Sequence, residues 1–522
     1  MPGDGPTGST GPDPSTQGHP STQRHTGADG PAAPAAPSGA AHRTLHFVLA
    51  PEDLPRLLRL PALTRAGRSI RAELSWHDTP DGTLAARNLA LCASASPGAP
   101  WRLEALHPEP SLTWPAALPA PLRQEAPGPG DFHPPLPEPL AGVAAFRGRR
   151  HRFQDSGGTA VVVLEGHLRG VSTIRPACRV ELHGPSPALA ACALAMADGL
   201  RLMVPRAGLA AEAVSVARGA EPPPRGAALP VIAAGQPLTD TVAQVVGGLL
   251  DTMLHWSMTA GDGEGSVPVH QMRVATRRLR SALSIFRHAA ACPELLPLGP
   301  ALRDTASRLG GARDWDVFLA GTGAQVADLF PEERRLASLL AAGRRRRLAA
   351  YAGLRAHLES TEFRRLALSL ACAAALRPWD GQDPAQDAVL QADTEAFAAG
   401  VLARRLRQVR RAGRGLRHLP VPALHELRKD CKRLRYAAEF FQPLFPDKAA
   451  RRFIRHLAAL QEALGLLNDG AAAAGLLAQL GRAGEGYAAG LVNGAVAAGA
   501  GAVRAEVRDA WHGFRHTDPF WT

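Results

Sequence analysis

The sequence predicts a multidomain chain: an all-α, internally duplicated helical bundle at the C-terminus, an α+β domain before it, and a disordered N-terminal tail. Three observations carry that reading. From Leu229 onward Ala, Leu and Arg dominate and β-strand signals vanish. Two motifs of that region recur at one constant offset of 155 residues. Before about residue 220 the text instead mixes short β-branched runs with Ala-rich stretches.

Residues 1–41 are rich in Pro, Gly, Ser, Thr and Ala and carry almost no large apolar side chains, so nothing offsets the entropy of ordering them. No basic stretch followed by an apolar run stands there, and a secretory signal is not expected. Residues 42–220 form the α+β domain. Thr44–Leu49 and Val161–Leu164 read as strands, Pro51–Leu54 as a helix start, and Pro187–Leu200 as an Ala-rich helix. The Pro-dense stretch 108–139 reads as a long loop, and the Pro/Gly cluster in 221–228 as a linker. Residues 229–522 are helical, with breaks expected at 261–268, 293–300, Gly310-Gly311, 378–384, 420–422 and 445–446.

The six cysteines are scattered and form no CxxC pair, which argues against a zinc or redox motif and fits a reducing compartment. The longest uncharged stretch near the end, 486–503, is Ala/Gly-rich and falls short of the ~20 apolar residues of a membrane span. A cytoplasmic protein with no membrane partner is expected. The net charge is +12, and from residue 228 on there are 38 Lys and Arg against 28 Asp and Glu. The basic excess belongs to the helical region and predicts an anionic partner for it.

The repeat locates the site. His270, Arg273, Arg277, Arg278, Leu279 and Arg280 recur as His425, Arg428, Lys432, Arg433, Leu434 and Arg435. Without a gap, Leu309-Gly310 and Asp314 recur as Leu464-Gly465 and Asp469, and Phe286 as Phe441. Two motifs holding one register point to a duplicated helical unit with pseudo-two-fold symmetry. On a helix, positions i, i+3, i+7 and i+10 fall within an arc of roughly 80°. His270, Arg273, Arg277 and Arg280 therefore share one face, as do His425, Arg428, Lys432 and Arg435. Such rows repel themselves and need an acid or a bound anion. Asp314 and Asp469 are candidate braces, while Arg278, Arg433, Tyr436, Arg313 and Arg414 are further candidates for contact. Each histidine follows a proline closely and is expected in the first helical turn, where free N–H groups suit phosphate oxygens. The basic runs Arg344–Arg347 and Arg404–Arg414 point around their helices, and most of them are expected to be solvated.

These paired motifs resemble the CHAD family, the conserved histidine α-helical domain, with Arg313-Asp314-Trp315-Asp316-Val317, Glu439-Phe440-Phe441 and the tail from Trp511 to Phe520-Trp521 completing the likeness. The resemblance implies two helical bundles about a pseudo-dyad, inorganic polyphosphate bound in a basic central groove, and association with polyphosphate granules. The α+β region is similar to the CYTH family, the triphosphate-tunnel fold, chiefly through Trp76-His77-Asp78-Thr79-Pro80-Asp81-Gly82-Thr83-Leu84 and Leu89-Ala90-Leu91. Where that family's first strand carries metal-binding acids, this chain has His42, Thr44 and His46, and the later acid-rich strand is reduced to Val180-Glu181-Leu182-His183. Metal-assisted phosphoryl chemistry needs several carboxylate oxygens. The resemblance thus implies a degenerate tunnel domain, with no catalytic residues, no cofactor and no metal assigned. The alternatives are a divergent metal-dependent triphosphatase or polyphosphatase, and non-specific nucleic-acid binding. The latter is disfavoured because aromatics make up 5% of the chain, too few for stacking platforms.

Overall fold

The computed structural model describes residues 42–106, 122–221 and 232–521, with the side chains of 42, 421, 466–472 and 499–503 left aside. The tail and most of the linker expected from the sequence lie outside the described residues.

The N-terminal domain is one antiparallel sheet with four helices. Its strands are β1 (His42–Leu49), β2 (Leu63–Arg65), β3 (Ile70–Asp78), β4 (Leu89–Ser94), β5 (Trp101–Ala105), β6 (Leu122–Ala126), β7 (Ala141–Asp155), β8 (Ala160–Arg169), β9 (Ile174–Pro185) and β10 (Leu202–Met203). They run in the order β10-β1-β9-β8-β7-β3-β4-β5-β6, with β2 paired to β7. The helices are α1 (Leu54–Leu57), α2 (Thr83–Ala86), α3 (Ser186–Gly199) and α4 (Leu209–Ala217). Period-two alternation assigns the faces. Leu45, Phe47 and Leu49 of β1 and Val180 and Leu182 of β9 are buried in one core together with Leu189, Ala193 and Met196 of α3. The other face carries His46, in register with Glu181. Glu104 on β5 feels the charge of Glu181, although four strands separate β5 from β9, so the sheet curls back upon itself.

One reading of this region is corrected, and one buried acid gains a structural role. Leu122–Ala126, placed in the Pro-dense loop, is a strand paired with β5; its Leu-Arg-Gln-Glu-Ala text is short but carries no proline. Asp78 is buried and accepts hydrogen bonds from the backbone N–H groups of Thr79, Leu84 and Ala85, so it organises the turn into α2.

The helical domain comprises α5 (Leu238–Ala260), α6 (Val267–Phe286), α7 (Leu298–Ala320), α8 (Thr322–Leu329), α9 (Arg334–Leu358), α10 (Thr361–Leu376), α11 (Pro384–Gln391), α12 (Thr394–Ala412), α13 (Val421–Phe441), α14 (Asp447–Ala478) and α15 (Tyr487–Arg515). The duplication is visible as helices: α5-α6-α7 recur as α12-α13-α14 at the offset of the sequence motifs. Phe286 and Phe441, equivalent positions, meet edge to face with ring centroids 6.4 Å apart. Equivalent residues can touch only near the axis that relates them, so this contact marks the pseudo-dyad. Proline and glycine end most helices where expected, but Gly310-Gly311 lies inside α7 and breaks nothing. A single interior glycine costs a helix only about 1 kcal/mol, and Gly310 has a packing role described below.

Helix α3 of the sheet domain packs on α10, and Arg365 of α10 reaches Asp198 and the Leu194 carbonyl of α3. The apolar core of β1, β9 and α3 is continuous with that of α5, α6, α10 and α13. A shared core couples the unfolding of its parts. Residues 42–521 are therefore expected to melt in one cooperative transition, and a chain beginning at residue 229 to melt at lower temperature and bind an apolar dye. Calorimetry on both checks this; two resolved transitions in the full chain would contradict it.

A candidate anion-binding cleft at the pseudo-dyad

Helix α6 is amphipathic. Val269, Met272, Ala275, Thr276, Leu279, Ala282, Ile285 and Phe286 are buried, and the basic row occupies the other side. In α13 the buried apolar residues include Leu424, Leu427, Cys431, Leu434, Ala437, Ala438 and Phe441. The two helices touch, and between them opens a cleft of about 380 Å³. Arg277 and Arg280 line it from α6, Lys429, Lys432 and Arg433 from α13, and Arg405 from α12, with Ser281 and Ser284 beside them.

The arginines differ in how their charge is met. Glu439 takes Arg278 at 2.9 Å and Arg435 at 2.7 Å, tying one helix to the other. Arg433 pairs with Asp430 at 2.9 Å, and Lys429 with Glu426 at 2.8 Å. Among the described residues, Arg273, Arg277, Arg280 and Arg428 have no carboxylate partner, and the Nε atoms of Arg277 and Arg428 are buried without a hydrogen bond. The guanidinium of Arg277 lies 4.9 Å over the ring of Tyr436, a buried residue. Burial, followed by the charge of Arg303, holds Arg280 below the ordinary arginine range. For Arg277 burial is again the largest cause, with Arg273, Arg278 and Arg435 adding to it. Burial and the charges of Arg433 and Arg404 bring Arg405 down to about 10, still cationic at neutral pH. Arginines elsewhere behave oppositely: Arg347, bonded to Asp316 at 2.7 Å, is held above its ordinary value despite burial. In the cleft, Lys429 and Arg433 have acids of their own, whereas Arg277 and Arg280 carry charge that no described carboxylate pairs.

Glycine positions the row. A Cβ on Gly310 would stand 2.8 Å from Arg273 Nη1, and one on Gly465 would stand 3.4 Å from Arg428 Nη2. Both copies thus seat the first arginine of the basic helix on the glycine of the next helix, which explains why the Leu-Gly motifs keep the register of the arginines. His270 shares this end of α6 with Arg313: loss of solvent, then the charges of Arg313, Arg277 and Arg273, lower its pKa.

Several expectations need correction. The cleft takes in part of the two rows. Arg277, Arg280 and Lys432 line the cleft, while His270, Arg273, His425 and Arg428 lie outside its lining. Arg278 and Arg435 are spoken for by Glu439, whose counterpart in the first copy is Ser284. His270, the fourth residue of α6, closes the first turn, but its N–H already donates to the Ser266 carbonyl and is not free for a ligand. Asp314 makes no ion pair within 4 Å among the described residues, yet it lies near enough to Arg273 and Arg313 for their charges to oppose the rise that burial gives its pKa; the side chain of Asp469 lies outside the described residues, and Glu439 and Asp430 are further acids at the rows. Arg414 is exposed beyond the end of α12 and does not line this cleft. Within the Arg344–Arg347 run, Arg346 bonds the Gln479 carbonyl and Arg347 bonds Asp316 and the Gly263 carbonyl, both scaffold contacts. Arg405 was hidden in the α12 run; its partner Arg433 and its place on the α13 side are tertiary facts.

On the sheet domain, the curled face gathers His46, Glu181, His183, Arg102 and Glu104. Arg102 pairs with Glu104 at 3.0 Å, and His183 approaches Glu181 at 3.5 Å. Glu104 on β5 adds a carboxylate to this face. Burial raises its pKa, against the opposing pull of Arg102. Among the described residues no three potential metal ligands cluster.

The glycine seat makes a prediction. Gly310→Ala should hold or raise the melting temperature, because alanine favours a helix interior by about 1 kcal/mol, while displacing the Arg273 guanidinium and weakening anion binding. Gly465→Ala, at the looser contact, should weaken it less. A melt and an anion titration on each variant check this; unchanged binding in Gly310→Ala would show that the seat does not matter.

Residues 244–478 match the family model of the CHAD domain. The chain is 30% identical over 214 residues to uncharacterised proteins from two strains of Mycobacterium tuberculosis, and spans 39% of their length and 39% of its own. The crystal structure of the CHAD domain from the plant Ricinus communis aligns with 27% identity and a TM-score of 0.49, over 57% of this chain and 98% of that one. PptA from Streptomyces chartreusis aligns with 17% identity and a TM-score of 0.40, over 54% of this chain and 99% of that one. The helical region of this protein, over residues 244–478, is a CHAD domain.

Proposed function

We propose that the CHAD domain of this protein binds inorganic polyphosphate in the cleft between α6 and α13, as a binding protein and not as an enzyme, and that it associates through that chain with polyphosphate granules. CHAD domains are associated with polyphosphate binding in general. The observation that carries the proposal is the cleft itself: Arg277, Arg280 and Arg405 gathered at the pseudo-dyad, with no carboxylate partner for Arg277 or Arg280 among the described residues. A flexible linear polyanion places a charge at every unit and needs no stacking surface, and the one aromatic ring at the rows, Tyr436, is buried beneath Arg277. Nucleic acid, the alternative for the same cations, would find charge here but no platform for its bases. The inner face of the sheet domain offers Glu104 and Glu181 already engaged by Arg102 and His183, which favours a scaffold role over metal-assisted hydrolysis.

The test is a titration of the full chain with long-chain polyphosphate. Arg273→Ala with Arg277→Ala forms one variant, and Arg428→Ala with Lys432→Ala the other. A hydrogen bond to a charged group is worth about 1.5–3 kcal/mol before screening, so each variant should bind about tenfold or more weakly and with a flatter salt dependence. His270 adds a pH signature. Its pKa is depressed in the free protein by burial and by Arg313, Arg277 and Arg273. A phosphate chain that runs on from the cleft along α6 to Arg273 and His270 favours the imidazolium, so binding takes up a proton. Affinity should therefore rise as pH falls from the bound-state pKa toward the lower free-state value, and His270→Ala should remove that rise. Equal affinity of both double variants and the unaltered protein would sink the proposal.

A further inference from the structure

A second cationic cleft, of about 600 Å³, lies between the short turn after α12 and the last helix. Arg417 and His418 line one side; Arg508, His512 and Arg515, at i, i+4 and i+7 of α15, line the other. The one acid in the lining is Asp509. Among the described residues neither Arg417, Arg508 nor Asp509 makes an ion pair, and Arg515 bonds only the ring of His516. Its walls are held by close packing. A Cβ on Gly413 would overlap the benzo edge of Trp511, and Arg410 donates to the Thr517 carbonyl. Trp511 packs its benzo edge against this backbone and, half-buried, also lines the cleft beside the imidazoles of His418 and His512.

The two clefts are joined by α12. Arg405 lines the first, and its neighbour Arg404 is close enough to depress its pKa. Arg404, Arg407 and Arg411 stand at i, i+3 and i+7, within an arc of roughly 60°, and all are exposed, as is Arg414 just past the helix end. Residues 396–415 contain no acid. Gly415, next to Arg414, already lines the second cleft. From Arg404 to Arg414 the track runs about 15 Å at 1.5 Å per residue.

We infer that the cleft at α15 is a second phosphate subsite, reached along α12 by the same polyanion that fills the first, so that the protein discriminates between polyphosphates by length. This rests on the polyphosphate reading above. It enlists α15, which lies beyond the segment matched to the CHAD family. A short anion occupies only the first cleft, whereas a long one engages Arg404, Arg411, Arg417, Arg508 and Arg515 as well.

The experiment uses the full chain, long-chain polyphosphate and tripolyphosphate. Arg508→Ala with Arg515→Ala, and separately Arg411→Ala with Arg414→Ala, should weaken long-chain binding about tenfold and flatten its salt dependence, while leaving tripolyphosphate affinity unchanged. Arg508→Lys with Arg515→Lys should restore most of the long-chain affinity. Arg277→Ala with Arg280→Ala should weaken both ligands. Long-chain affinity unchanged in the α15 and α12 variants overturns the second subsite and leaves the first standing. So does a loss confined to single-stranded DNA used as a third probe. An unaltered protein that binds neither phosphate probe overturns both readings.

Discussion

Like charges brought together on a protein surface repel, and every part of this helical domain bears on how that repulsion is contained. At an effective dielectric of about 20, two unit charges a few ångströms apart cost several kcal/mol before salt screens them. The protein relieves only part of that. Glu439 takes Arg278 and Arg435, and Asp430 takes Arg433. Arg277 and Arg280 are left unneutralised by any described carboxylate, with burial and neighbouring cations lowering their pKa. An arginine paired within the scaffold looks different, as Arg347 with Asp316 shows. The residual repulsion is what a bound polyanion would remove.

The rest of the fold supplies the stiffness that keeps these cations from spreading apart. Phe286 and Phe441 lock the two basic helices at the axis, with Phe397 stacked on Phe286 at 5.9 Å. Gly310 and Gly465 let Arg273 and Arg428 lie against the following helices. Below them runs an apolar core that extends without interruption into the sheet domain. That continuity gives the sheet a mechanical role independent of any chemistry on its curled face. There His46 is held neutral-leaning by burial, and burial alone would raise the Glu181 carboxyl, but the hydrogen bond with His183 and nearby cations keep it below its ordinary value.

Much of this was legible in the chain. The helical class, the repeat and the identity of the basic helices follow from periodicity and from one register held by two motifs. The Leu-Gly motif was legible as a signal and not as a cause: that Gly310 seats Arg273 is a contact between residues 37 positions apart. Helical spacing alone could not separate Arg277, which lines the cleft, from Arg435, which Glu439 neutralises, because the acid sits on one copy only. Nor could it find Arg405, one arginine among six on or just beyond α12, or the pairing of Leu122–Ala126 inside a Pro-dense stretch. Periodicity reports the face a residue takes on its own helix; which neighbour meets that face is settled by packing.

The central claim is that the cations at the pseudo-dyad are arranged for a phosphate chain and not for charge in general. The most direct measurement is a competition at near-physiological salt, with labelled long-chain polyphosphate bound to the full protein and challenged by unlabelled polyphosphate or by duplex and single-stranded DNA at equal phosphate concentration. The account predicts that polyphosphate displaces the label and that DNA, longer and no less charged overall, does so only at far higher concentration. Equal displacement by DNA would contradict it and reduce the cleft to an unselective basic surface.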